Sequence, residues 1–101
     1  MYNSEGLSVR KLSKETIKLL AYPNPTNGVL NVQLIPSKID ETAIIRELTF
    51  YNLQGLPVKS IQNLEAEQLT IDLTGLTTGL YYMKAIDQAG TISEGKVLVA
   101  E

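Results

Sequence analysis

The sequence contains no cysteine, no histidine and no tryptophan, and a single phenylalanine among its 101 residues. Without cysteine there is no disulfide framework, no thiolate nucleophile and no Cys-ligated zinc site. Without histidine the commonest general base and the commonest metal ligand are missing, and no serine can be activated through a Ser-His-Asp arrangement. Long apolar runs are absent too. The longest are about four residues, against the roughly 20 that cross a bilayer as a helix. Neither sign of charge dominates: 9 Lys and Arg stand against 11 Asp and Glu, for a net charge of -2. No basic run interleaved with aromatics occurs, so nucleic-acid binding is not expected. Met1-Tyr2-Asn3-Ser4-Glu5 lacks the basic start and apolar core of a secretory leader. Missing cysteine suits the cytosol and an exported domain equally, so it assigns no compartment.

What is present is enough apolar residue, 44%, to build one core, in a chain too short for a second domain. Residues 1–15 are polar and weakly periodic, and read as a linker or the tail of an upstream partner; residues 16–101 read as the folded domain. Ser13-Lys14-Glu15-Thr16 could open a short helix with Ser13 as N-cap, but from Thr16 to Tyr22, Ile17, Leu19 and Ala21 alternate as on a strand and Pro23 keeps Tyr22 extended, which favours the strand. Pro23-Asn24-Pro25 restricts two φ angles in three residues, making a rigid corner that ends at Asn27-Gly28. Gly28 to Ile35 alternates with Leu30, Val32 and Leu34 on one face, and Pro36 stops it. A polar loop spans Ser37 to Thr42. Ile44 to Leu53 forms the next strand, with Leu48 and Phe50 opposite in sense to Thr49 and Tyr51.

Asn52-Leu53-Gln54-Gly55 has the composition of a hairpin turn with Gly55 left-handed. In the following strand, Leu56 to Gln62, Pro57 predicts an edge or a bulge. Gln68 to Thr74 alternates through Leu69, Ile71 and Leu73. Leu76 to Gly79 is a corner, Leu80 to Asp87 a strand, and Gln88-Ala89-Gly90 a turn into the last strand, Thr91 to Val99. Val97 and Val99 share a face of that strand, and Gly95 within it predicts a bulge. About seven short strands with frequent turn signals predict an all-β, immunoglobulin-like antiparallel β-sandwich.

Sites of chemistry are scarce. Tyr81, two residues past Gly79, has the placement of a tyrosine corner, its hydroxyl bonding backbone a few residues upstream. Tyr22, Phe50, Tyr51 and Tyr82 would form a sugar platform only if several rings lay exposed on one face; cross-strand packing is the simpler role. Asp40 with Glu41, and Glu65 with Glu67, lack the spacing of a calcium loop and sit in polar loops. Asn24-Pro25-Thr26 is no glycosylation acceptor, because proline holds the middle position. No cofactor is expected, and the chain reads as a non-enzyme.

Four segments together resemble the C-terminal sorting domain of type IX (Por) secretion substrates. They are Tyr22-Pro23-Asn24-Pro25-x-x-Gly28, Leu48-x-Phe50-Tyr51-Asn52-Leu53-x-Gly55-x-x-Val58, Ile71-Asp72-Leu73-x-x-Leu76-x-x-Gly79-x-Tyr81, and the terminal Lys96-Val97-Leu98-Val99. The resemblance covers roughly residues 19 to 101. One departure is Leu80, where the family often has a β-branched residue.

The resemblance implies a seven-stranded sandwich that serves as an address for an N-terminal cargo domain. Its partners would be the type IX outer-membrane translocon and a sortase-like peptidase that removes the module. The destination would be the cell surface or the medium, by way of the periplasm and outer membrane of a Gram-negative bacterium. The implied recognition residues are Pro23, Asn24, Pro25, Gly28, Gly55, Gly79, Tyr81, Lys96, Val97, Leu98 and Val99. The glycines and Tyr81 are also residues that the fold's own corners would demand.

On this reading the chain is cut from a longer parent, with cleavage expected in the polar stretch before Thr16. Residues Lys96 to Glu101 would be the main recognition element, an open strand edge that a receptor extends by β-augmentation. Lys96 would discourage unwanted pairing, and weak homodimers through edge strands are compatible with such a fold. The competing readings are a fibronectin-type spacer or adhesion module, and a carbohydrate-binding module of a secreted hydrolase.

Overall fold

The computed structural model describes residues 17–36 and 41–100. The expected linker over 1–15 and the first part of the 37–42 loop lie outside the described residues. The alternating segments form seven strands: β1 (Lys18–Tyr22), β2 (Val29–Ile35), β3 (Ile45–Tyr51), β4 (Pro57–Ile61), β5 (Gln68–Asp72), β6 (Gly79–Asp87) and β7 (Ile92–Val99). They make two antiparallel sheets, ordered β1-β2-β5 and β4-β3-β6-β7. This is the immunoglobulin-like sandwich expected from the sequence.

Period-two alternation does the sorting into faces. Leu30, Val32 and Leu34 of β2 and Ile71 of β5 close the core from one sheet. Ile45, Leu48 and Phe50 of β3, Tyr81, Met83 and Ala85 of β6, and Val97 and Val99 of β7 close it from the other. Phe50 and Leu48 are completely inaccessible. With no disulfide in the chain, this interlayer burial holds the domain together.

The irregularities have local causes. Pro57 stands opposite Tyr51 after a register shift in the β3–β4 ladder, on an edge strand where its missing N–H removes little. A second shift separates Ile45 from Glu47 along β6. The bulge expected at Gly95 does not occur: β6 and β7 pair without interruption from Gly79↔Val99 to Ile86↔Ile92, with Gly95 opposite Met83. Glycine is there for space. A Cβ at that position would come within 3.3 Å of both Leu19 Cδ2 and Met83 Cε.

The chain also changes sheet. β1 lies against β2, with Tyr22 opposite Asn31. After Tyr22 the chain crosses to the other layer, where Thr26 forms a parallel bridge with Val99, and then returns as β2. Both X-Pro bonds of the crossing, Tyr22–Pro23 and Asn24–Pro25, are cis. The molecule therefore has two poles. At one, the chain enters: Ile17 shares a shallow depression with Asp87, Ala89 and Thr91, and its carbonyl accepts from Ser93 Oγ at 3.4 Å. At the other lie the Pro-Asn-Pro crossing, the β3–β4 hairpin, the start of β6 and the end of β7. β6 alone runs nine residues between them, roughly 26 Å at about 3.3 Å per residue.

Candidate functional site

The second pole gathers segments that are far apart in sequence. The β3–β4 hairpin is built by Asn52, whose Oδ1 accepts from the amides of Gln54 and Leu56, each at 3.0 Å. The Gly55 amide bonds the Asn52 carbonyl at 3.0 Å, and Gly55 has φ of 84°, the left-handed conformation expected for it. This hairpin faces the corner before β6: Asn52, Leu53 and Gln54 line one small surface hollow with Thr77, Thr78, Gly79, Leu80 and Tyr81.

Tyr81 is the tyrosine corner. Its ring is buried, and its hydroxyl donates to the Thr77 carbonyl at 2.6 Å, with the Thr77 hydroxyl at 3.1 Å. A buried phenol needs such a partner, and here the partner lies four residues upstream, so the bond fixes the entry into β6. Gly79, the first residue of β6, pairs with Val99, which puts the corner beside the end of the terminal strand.

The outer edge of that strand is occupied from Lys96 to Ala100. Asn24 projects its carboxamide onto β7: Leu98 N donates to Asn24 Oδ1 at 3.0 Å, and Asn24 Nδ2 donates to the Lys96 carbonyl at 3.1 Å. A carboxamide has one acceptor and one donor group, as a peptide unit does, so Asn24 pairs with the strand as an added residue would. Thr26 continues the pairing through its own backbone. Its amide bonds the Leu98 carbonyl at 2.9 Å, and its carbonyl accepts from Ala100 N at 2.8 Å. Thr26 is buried, and its hydroxyl donates to the Val29 carbonyl and accepts from Gly28 N at 3.1 Å. Gly28 is buried with φ of 141°, and a Cβ there would come within 2.9 Å of Thr74 Cγ2. Over Lys96–Ala100 the terminal strand is thus not the open edge that its position in the sequence suggests.

The residues singled out from the sequence separate by exposure. Pro23, Asn24, Pro25, Gly55, Lys96 and Leu98 face solvent, while Gly28, Tyr81, Val97 and Val99 are buried and Gly79 is half-buried. All of them except Gly28 belong to the segments that meet at this pole, and Gly28 lies behind the strap that Asn24 to Thr26 form, bonded to the Thr26 hydroxyl. The sequence did not single out Thr26, whose bonds to Leu98 and Ala100 no local pattern announces. It placed Asn52 in the hairpin turn and the Tyr81 partner a few residues upstream, without naming Asn52 as the acceptor of two amides or Thr77 as that partner.

The outer face of the larger sheet extends the site. Tyr51 stands directly opposite Tyr82. Lys84 Nζ lies 5.5 Å from the Tyr51 ring centre, and Lys96 Nζ lies 6.0 Å from that of Tyr82. Each is a cation–π contact of about 0.5–1 kcal/mol at an exposed site. Tyr82 and Leu98 stay partly exposed beside them. Among the described residues the one carboxyl with a clear shift is Asp72, held below its ordinary value of 3.8 first by the Thr74 hydroxyl and amide bonded to it, with Lys59 adding a smaller pull. Among the described residues no group of three or more carboxylates is placed to hold a metal ion.

Geometry of this kind defines a class: a compact sandwich that displays a composed surface of backbone, aromatic and lysine groups. The family of secretion system C-terminal sorting domains matches residues 20–100, and the chain belongs to it. This is the type IX sorting domain that the four sequence segments resemble, a family of secretion signals rather than of enzymes. No curated protein matches the chain. Among solved structures, the crystal structure of CopC from Methylosinus trichosporium OB3b is similar at 16% identity and a TM-score of 0.45, over 83% of this chain and 91% of that one.

Proposed function

We propose that the pole formed by Pro23–Thr26, the Gly55 hairpin, the Gly79–Tyr81 corner and Lys96–Val99 is the surface that the type IX outer-membrane translocon reads. One observation carries this: segments more than 70 residues apart in sequence meet there through direct bonds, Asn24 to Lys96 and Leu98 among them. A signal written as shape requires a surface that is rigid before it is met, which keeps the ordering cost of binding low. In this reading Tyr81, Val97, Val99 and Gly28 hold the surface in place from beneath, while Asn24, Pro25, Lys96 and Leu98 present it.

The attached cargo sits at the opposite pole. Ile17 enters beside Thr91, so a domain joined upstream leaves the recognition pole uncovered. The sortase-like peptidase acts on the polar stretch ahead of Thr16, and the cargo is then released or retained at the surface of a Gram-negative cell. The test is a reporter fused ahead of residue 16 in a type IX-competent host. The intact module carries it to the medium or surface, whereas deletion of Lys96–Glu101 leaves it inside the cell. Export of the truncated fusion at the wild-type level defeats the proposal.

A further inference from the structure

We propose that the Asn24–Thr26 strap is a guard on the edge of β7, and that the partner it keeps away is a second copy of this chain. The observations are independent of any export role. The strap bonds only the last part of the edge, from the Lys96 carbonyl to the Ala100 amide. Residues whose main chain faces outward recur every second position, so Ile92 and Glu94 share that edge with Lys96 and Leu98. Among the described residues no strand pairs with the Ile92–Glu94 part. All four side chains lie on the sheet's exposed face, with Ile92 at 53% and Leu98 at 39% exposure.

Read outward, the edge runs Ile92, Glu94, Lys96, Leu98, and this order is complementary to its own reverse. In an antiparallel pairing of two β7 strands, one register places Glu94 opposite Lys96 of the second copy and Ile92 opposite Leu98 of the second copy, each contact made twice. Opposite charges and paired apolar side chains directly across a ladder are the favourable cross-strand combinations. The two-fold axis then passes between the Gly95 residues, where neither copy has a side chain to clash. Two four-stranded sheets would join into one of eight strands with an isologous interface.

This register needs the Lys96 carbonyl and the Leu98 amide, both held by Asn24, and the Leu98 carbonyl, held by Thr26, so loss of the Asn24 side chain frees two of the three groups. Guard and dimer are therefore mutually exclusive. Asn24 is the weakest part of the guard, because its two bonds are exposed and made by one side chain. Pro25 next to it has no N–H and offers no edge of its own for pairing.

The experiment is sedimentation velocity over a range of concentrations, with amide hydrogen exchange, on the wild-type chain and Asn24→Ala. The wild type sediments as a monomer. N24A exchanges its Leu98 amide at least about tenfold faster at low concentration and dimerises at least about tenfold more tightly. In the N24A background, Lys96→Glu abolishes the dimer by setting Glu against Glu, and Glu94→Lys combined with Lys96→Glu restores it. If N24A does not fold, Asn24→Asp keeps the acceptor, removes the donor to the Lys96 carbonyl and is read in the same way. A monomeric N24A with a freed Leu98 amide overturns the inference. So does an unchanged Leu98 amide, or a dimer indifferent to the charge swap. Cargo export is not among the readouts, so the outcome is separate from that of the sorting role.

Discussion

Single residues carry the corners of this domain, and each does so by replacing a main-chain partner with a side chain. Asn52 folds the hairpin by collecting two amides on one oxygen. Asp87 does the same for Ala89 and Thr91, at 2.9 and 2.8 Å, and closes the β6–β7 turn. Asp72 accepts from the amide and hydroxyl of Thr74, at 2.9 and 2.6 Å, as the chain leaves β5. Those bonds favour the ionised carboxylate and lower its pKa. A carboxyl depressed in the folded state adds stability above its unfolded pKa and loses it as the pH falls through the folded one. Wild type should therefore exceed Asp72→Asn in urea midpoint at neutral pH, and the gap should close as the pH drops below about 3.8. A gap independent of pH would mean that the ionised carboxylate is not what Thr74 recognises.

At the scale of elements, strand existence followed from alternation, but partnership did not. β7 read as a strand with a bulge at Gly95, and it is a strand without one. The missing side chain answers Leu19, which belongs to the other sheet and lies 76 positions earlier in the chain. No local pattern can announce a neighbour that distant. Gly95→Ala should cost up to about 1 kcal/mol in urea unfolding, since the new Cβ would be closer than ordinary contact to Leu19 and Met83 and both side chains would have to shift by a few tenths of an ångström. The cost should be smaller in a Leu19→Val background, where the methyl that meets the new Cβ is gone. Equal losses in the two backgrounds would place the strain elsewhere. Pro57 shows the reverse case: proline's lack of an N–H is a local property, so an edge or a bulge was legible from its identity, and the structure has both.

For the molecule as a whole, the separation of the two poles governs how it can be joined to anything else. The described chain begins at Ile17 on the entry pole, so on the proposed reading a domain joined upstream leaves the Asn24–Ala100 surface clear. The same domain appended after Glu101 would stand on that surface, because Ala100 is bonded to Thr26 within it. Reporter export should therefore survive the upstream fusion and fail with the downstream one, as measured by reporter in the medium; equal export from both would remove the second pole from recognition. The sequence by itself determined the all-β class, the seven strands, the hairpin at Gly55, the tyrosine corner and the sorting-domain family, because alternation, turn chemistry and motif spacing are local and read in chain order. Only the tertiary structure decided that Pro-Asn-Pro carries the chain across to the second sheet and closes the Lys96–Ala100 part of the last strand's edge. That contact joins residues more than 70 positions apart, and its partner groups on β7 are main-chain atoms, which every residue has and no sequence pattern distinguishes.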